Sequence, residues 1–385
     1  MHSIHEAIGF TPIAYEGAKK GSLMSTTITT PLLITALTVP ETLDSPDAAD
    51  FHAFVALNNA ICVSDTGQHD LGRTADEMLP QWRASTDYVQ QTLLAREGER
   101  IVGAVTVSHA TAEPTSAEID LMVTPENWGR GIEHALLAEA EAEVRRLGRK
   151  VIQSWTLHRA APGDSPLVPK TGWGHISRTP HAQLLVDDGF TLEQVERNSA
   201  FDLQGDLAPI ERMLADALAV AGDEYRLVEW TVPTPPELRS GYAWALSRMS
   251  TDAPSGDLEM DEEIWDADRI ARRDARFVEG GQTVSVAAVK HVPTDTLAAF
   301  NELVIGSDPT GVTHQYCTLV LKEHRGHRLG QIVKCANILR WRGIAPDSPR
   351  ITTFNAEENR PMLDINEAMG FQPASYAGAW QKKLT

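Results

Sequence analysis

Two stretches of this 385-residue sequence place closely spaced glycines between a β-branched run and an amphipathic run, a junction that can hold an anion. One is Val123-Thr124-Pro125-Glu126-Asn127-Trp128-Gly129-Arg130-Gly131-Ile132-Glu133; the other is Val320-Leu321-Lys322-Glu323-His324-Arg325-Gly326-His327-Arg328-Leu329-Gly330. A strand turning through such a loop into a helix leaves backbone N–H groups unpaired at the positive end of the helix dipole, where phosphate oxygens bind. Junctions of this kind are also common as plain structure, so the side chains decide. In the second stretch Arg325, His327 and Arg328 add donors and positive charge, the bland alternative being a solvated basic turn. In the first, Glu133 puts a carboxylate and bulk where the anion would sit.

The elements around these loops repeat. In the first half, strand patterns near Leu93 to His109, with Gly98 at the turn, and at Ala117 to Val123 lead into the loop. A helix follows, with Ile132, Leu136, Leu137, Ala140, Val144 and Leu147 at helical spacing, then a strand at Lys150 to Leu157. A Gly/Pro/Ser-rich segment, Ala160 to Thr179, gives way to a short helix and Gly189-Phe190. After a helix near Pro209 to Val220 the order returns: a strand at Tyr225 to Val232, helices at Pro236 to Met249 and Glu262 to Glu279, and strands at Thr283 to His291, Leu297 to Ile305 and Tyr316 to Leu321. The basic loop, a helix carrying Leu329, Ile332, Val333, Ala336 and Leu339, a strand at Arg350 to Phe354, a helix from Glu358 to Met369 and Gly370-Phe371 complete it. A sharper repeat joins the termini: residues 4–18 match residues 365–379 at nine of fifteen positions, which signals duplication. It reads as a relic of an extra copy or as sequence upstream of a start at Met24, the alternative being an N-terminal tail that pairs where the homologous C-terminal tail would lie.

Both loops resemble the pyrophosphate signature of the GNAT acyltransferase superfamily, Arg/Gln-x-x-Gly-x-Gly/Ala with a Val five residues upstream. In the second copy Arg325, Gly330 and Val320 match, and Arg328 replaces the middle glycine. In the first, Gly131, Val123 and Pro125 match, but Trp128 replaces Arg/Gln and Glu133 replaces the last small residue. The resemblance implies two tandem α/β (α+β) folds, each a mixed, mostly antiparallel twisted sheet flanked by helices whose fourth and fifth strands splay to admit a pantetheine arm. The expected division is an N-terminal extension (1–23), a GNAT-like domain with a degenerate motif (24–205), a linker helix (206–222) and the better-preserved, catalytic copy (223–385).

The resemblance also implies acetyl-CoA as co-substrate, held in the second copy by Val320, Lys322, Arg325, Gly326, His327, Arg328, Leu329, Gly330 and Asn359. Asn359 stands where the family has an asparagine that contacts pantetheine; Asn366 stands where the family often has a tyrosine that protonates the leaving thiolate, and an amide cannot do so. The first copy keeps the Gly189-Phe190 ending without either residue. Glu302 and His314 are the candidates for taking a proton from the acceptor ammonium. The implied reaction is direct transfer of an acetyl group to a primary amine of a small molecule. The alternatives are a CoA-binding pseudoenzyme or interaction scaffold and an acyltransferase of the mycothiol synthase type, which shares the tandem layout.

Composition narrows the class. The net charge of −19, from 34 basic and 53 acidic side chains, argues against nucleic acid as a partner. No apolar run is long enough to span a membrane. Three scattered cysteines, Cys62, Cys317 and Cys335, suggest neither a disulfide framework nor a thiolate zinc site, and the thirteen histidines show no compact ligand spacing, so no metal is expected. The N-terminus lacks the pattern of a secretory signal, so a cytoplasmic enzyme is expected, with homo-oligomerisation left open.

Overall fold

The computed structural model describes residues 13–15, 31–83, 85–112, 115–160, 163, 165–252 and 255–384. The expectation for residues 1–23 therefore lies outside the described residues, apart from the backbone of Ile13–Tyr15 (β1).

In the first half, Leu32–Ala36 (β2) is followed by helices Ala49–Thr66 (α1) and Ala75–Trp82 (α2). The antiparallel run Tyr88–Glu97 (β3), Arg100–Ala110 (β4) and Ser116–Val123 (β5) comes next. Ile132–Arg146 (α3), Val151–Arg159 (β6), Pro180–Asp187 (α4) and Thr191–Asp202 (β7) complete the half. The helix Ala208–Ala221 (α5) connects it to a second set. That set comprises Tyr225–Thr231 (β8), Pro236–Ser247 (α6), the one-turn Met249–Asp252 (α7) and Ala267–Glu279 (α8). It continues with Thr283–His291 (β9), Thr296–Ile305 (β10), Thr313–Val320 (β11), Leu329–Ile344 (α9), Arg350–Ala356 (β12), Arg360–Met369 (α10) and Gln372–Lys383 (β13). The mixed α/β class and the mostly antiparallel sheet agree with the sequence expectation.

The thirteen strands among the described residues share one sheet, in the order β1-β2-β3-β4-β5-β6-β13-β7-β12-β11-β10-β9-β8. The two halves exchange their last strands at its centre. β13 pairs with β6 from Ser375↔Arg159 to Lys383↔Val151, while β7 pairs with β12 from Arg350↔Asp202 to Ala356↔Glu196. β13 carries small residues rather than β-branched ones, so no strand pattern announces it; pairing on both edges makes it a strand. Gly378 is needed there, because a Cβ would come within 2.6 Å of Ile176 Cδ1. The strand exchange means that the two halves fold into one body around a shared seam.

Apolar side chains cover both sheet faces. Leu136, Ala140 and Val144 of α3 pack with Leu184 and Leu185 of α4 on one side of the first half, and Phe51, Phe54 and Met78 of α1 and α2 on the other. In the second half Tyr242, Ile270 and Phe277 of α6 and α8 oppose Cys335, Ile338 and Trp341 of α9. The connecting helix α5 lays Ala217 and Ala221 on Leu329, Ile332 and Val333, so it is part of the second core rather than a free linker. One helix is unforeseen from the sequence and one helix boundary shifts. α2 escapes a periodicity search because it is short and contains Pro80; its Thr74–Glu77 capping box closes the first turn instead. α8 starts at Ala267, not Glu262, because the Asp266 side chain accepts the Arg269 N–H and sets the boundary.

Candidate active site

In each half the one parallel strand pair among the described residues comes apart. β5 pairs with β6 only from Ser116↔Val151 to Ile119↔Ser154, and β11 with β12 only at Thr313↔Ile351 and His314↔Thr352. Beyond these registers the strands diverge, and a cavity opens in each splay: about 440 Å³ in the first half and about 420 Å³ in the second. Each is large enough for a small-molecule ligand.

The second cavity gathers most of the residues named from the sequence. Val320, Arg325, Gly326, Arg328, Leu329, Gly330 and Asn359 line it, together with Thr318, Leu319, Met362 and Ile365. α9 begins there without a side-chain cap, so its first N–H groups are left for a ligand. Arg328 at its N-cap takes the left-handed conformation (φ 56°), the geometry that Gly131 supplies at the N-cap of α3 (φ 86°). Arg325 is exposed and donates to the carbonyls of Val320 and Asp252. Lys322 and His327 lie outside this cavity: the Lys322 N–H points to Asp252 Oδ2, and His327 stacks on Tyr225 at 5.0 Å.

In the first half the corresponding loop is occupied by its own side chain. Glu133 is buried, and its Oε1 accepts the Gly129 N–H at 3.1 Å. Arg130 is drawn away to Asn127 and Glu97. The cavity wall carries Trp128 where the second half has Arg325, and the His158 and His181 rings nearby are held neutral, both pushed down to about 4 by burial. The loop of the second splay thus presents Arg325 and Arg328 to its cavity, whereas that of the first presents Trp128, in a cavity also lined by His158, His181, Asp65 and Arg159.

The two proposed bases differ from a free carboxylate or imidazole. Glu302 is fully buried; Arg273 grips both of its oxygens at 2.6 and 2.8 Å, the Tyr242 hydroxyl donates to Oε1, and the Cys317 N–H donates to Oε2 at 3.4 Å. Burial alone would raise its pKa, but the Arg273 charge and these donors hold it below the ordinary value. An ionised carboxylate saturated in this way has a structural part and is a poor proton acceptor. His314 lines a second cavity, of about 230 Å³, and bonds Thr352 Oγ1 through Nδ1 at 3.2 Å. Burial, then the charge of Arg73, pushes it down to about 4, so it is neutral at physiological pH.

Asn366 is buried away from the splay, where its Oδ1 accepts from Lys334 Nζ at 2.7 Å and its Nδ2 donates to Asn355. The position that carries the family's tyrosine therefore braces α10 against α9. Sequence reasoning passed over a group in the first half: Glu118 and Asp120 on β5. Glu118 is half-buried, and desolvation raises it to about 7, helped by Asp120 and Glu196; Asp120 itself is exposed. Their alternation with buried Ala117, Ile119 and Leu121 could have flagged them. Among the described residues no group of three or more His, Cys, Asp or Glu side chains is arranged to hold a metal, and no helix is long and apolar enough to cross a membrane.

Residues 60–162, spanning the first splay, match the family model described as acetyltransferase (GNAT) family. Over 91% of its length the chain is similar to a tandem GNAT protein from the clavulanic acid biosynthesis pathway, solved without AcCoA, with 98% of that chain covered, 23% identity and a TM-score of 0.68. The chain carries the tandem GNAT fold. Two further structures align with this chain over 91% of its length at a TM-score of 0.55. They are a GCN5-related N-acetyltransferase from Sphaerobacter thermophilus, at 13% identity with 95% of it covered, and a glucosamine N-acetyltransferase region of a fungal multi-domain GH3 β-N-acetylglucosaminidase, at 16% identity with 38% covered. No curated protein sequence matches. The family model falls on the half whose loop departs further from the signature.

Proposed function

We propose that this chain is an acyltransferase that moves an acetyl group from acetyl-CoA to a primary amine of a small molecule, with the co-substrate in the splay of the second half. The observation that carries the reading is the pairing of a splayed β11–β12 edge with a loop whose guanidinium groups, Arg325 and Arg328, line the same cavity as the uncapped start of α9. CoA brings a pyrophosphate and a long amide-bearing arm. The first suits the helix start and the arginines; the second suits the edge of β11 and Asn359.

In the transfer, the lone pair of the free amine forms the new C–N bond, the C–S bond breaks, and sulfur leaves with its electron pair. Nitrogen loses one proton and sulfur gains one, so the reaction is balanced without an oxidant or a metal. The pinned Glu302 serves the fold. His314, neutral and lining its cavity, is the side chain with a lone pair to lend on the second half's acceptor side, and solvent completes the proton path.

A second reading places chemistry in the first half. It is favoured by the family match to residues 60–162 and by Glu118, whose raised pKa suits a general base near neutrality. Loop substitutions in the intact chain separate the two. Arg325→Ala should depress acetyl-CoA binding and thiol release if the second half works, and Trp128→Ala should do so if the first half works.

A further inference from the structure

Between the halves lies a cavity of about 370 Å³, which meets the 230 Å³ cavity of His314 along Arg73, Gln282 and Tyr316. Tyr316 is two residues along β11 from Thr318, which lines the second-half splay, so this space adjoins the proposed acetyl-CoA site. Its walls are unusually rich in guanidinium groups. Arg269, Arg273 and Arg276 come from α8, and Arg73 comes from the first half. Three of the arginines near it have carboxylate partners: Arg273 holds Glu302, Arg272 chelates Asp87 at 2.6 and 2.9 Å, and Arg269 reaches Glu263 at 3.3 Å while lying 4.1 Å over the Trp265 ring. Among the described residues Arg276 has a distant share of Asp87, at 3.7 Å, and a bond to Ser85. Burial lowers its pKa; Asp87 opposes this, but the charges of Arg273, Arg269 and Arg272 add to the lowering.

Arg73 is the telling case. The Asn59 side chain accepts its N–H at 2.9 Å and donates to its carbonyl at 2.8 Å, so its backbone is clamped to α1, and Gln81 accepts from Nη1 at 3.1 Å. Its Nη2 is buried and bonds no acceptor among the described residues. A buried cationic donor left without an acceptor is costly, and one held in place by its own backbone and a neutral amide is arranged for something that arrives. Gln315 Oε1, buried in the same 230 Å³ cavity, likewise lacks a donor.

Resting on the acyltransferase reading above, we propose that the acceptor is an amino-acid-type molecule, a primary amine that also bears a carboxylate, and that Arg73 binds this carboxylate with Arg276 beside it. The planar fork of Arg73 suits a carboxylate, and Gln315 Oε1 suits an N–H group of the same molecule. Arg73 acts in binding and orientation, with the amine directed along Tyr316 toward the splay.

The test uses the full chain and the twenty standard amino acids, each compared with the amine lacking its carboxylate (L-lysine with cadaverine, L-phenylalanine with phenethylamine). Binding is followed by calorimetry without acetyl-CoA, and acetylation by thiol release. At least one amino acid should bind and outperform its decarboxylated partner. Arg73→Gln should weaken that amino acid by about 10- to 100-fold, leaving the acetyl-CoA dissociation constant unchanged; Arg73→Lys should restore only part. Equal use of amines with and without the carboxylate, an Arg73→Gln chain that keeps the preference, or no amino acid binding to a chain that binds acetyl-CoA overturns the proposal and leaves the acyltransferase reading standing. Failure of acetyl-CoA to bind strikes that reading instead, and the amino-acid calorimetry still decides this one. Circular dichroism confirms that each variant is folded.

Discussion

Glu133 accepts the Gly129 N–H at 3.1 Å, so in the first half a carboxylate of the chain already holds a loop amide that the second half's loop offers without such a side chain. The final signature position makes the difference: Gly330 lines the second cavity and has no side chain to reach back. Glu133→Ala should therefore free the first loop. Calorimetry of acetyl-CoA with this variant is expected to show additional weak binding, together with about 0.5 to 1.5 kcal/mol lower stability from the lost hydrogen bond. Unchanged stoichiometry and affinity would mean that Trp128, not Glu133, closes the site.

Arg328 holds a left-handed N-cap that L side chains occupy at a cost. Arg328→Gly should relieve that strain by about 1 kcal/mol and remove a guanidinium from the cavity. Thermal denaturation should therefore show a gain while acetyl-CoA binding shows a loss. A variant that gains stability and keeps its affinity would assign Arg328 to the surface.

Lys334 is fully buried on α9, bonded to Asn366, and burial lowers its pKa from 10.5 to about 7. Below pH 7 both folded and unfolded chains carry this charge, and the desolvation penalty is present in full. Between 7 and 10.5 the unfolded chain binds more protons than the folded one, so stability rises with pH, by at most about 1.4 kcal/mol per unit. Urea denaturation from pH 6 to 10 should show this rise in the wild type and a flatter profile in Lys334→Met, the difference between the two isolating this group. Parallel profiles would show that Lys334 keeps its ordinary pKa in the folded chain, charged and solvated.

Much of this was legible beforehand. Apolar runs and helical spacing located β3, β4, β5, α3, β9, β10 and α9, because β4, β9 and β10 are buried on both faces and each helix lays an apolar stripe on the sheet. The loop chemistry at Arg325, Gly330 and Asn359 followed from local order, and these residues do line one cavity. What stayed hidden depends on distant partners. β13 has no strand-like composition and is made by its neighbours β6 and β7. Glu302 reads as a free carboxylate until Arg273, from another element, is seen to hold it. Arg73 attracts no notice in its own segment; its meaning comes from Asn59, Gln81 and the cavity walls of the opposite half.

The central claim is that the second splay binds acetyl-CoA through its basic loop, and titration calorimetry of acetyl-CoA into the intact wild type, Arg325→Ala and Trp128→Ala chains tests it most directly. A charge-assisted contact to phosphate is worth about 1.5 to 3 kcal/mol, so Arg325→Ala should weaken binding by about 10- to 150-fold while Trp128→Ala leaves it near the wild-type value. An unchanged dissociation constant in folded Arg325→Ala, or a loss confined to Trp128→Ala, would contradict the account and move the co-substrate to the first half.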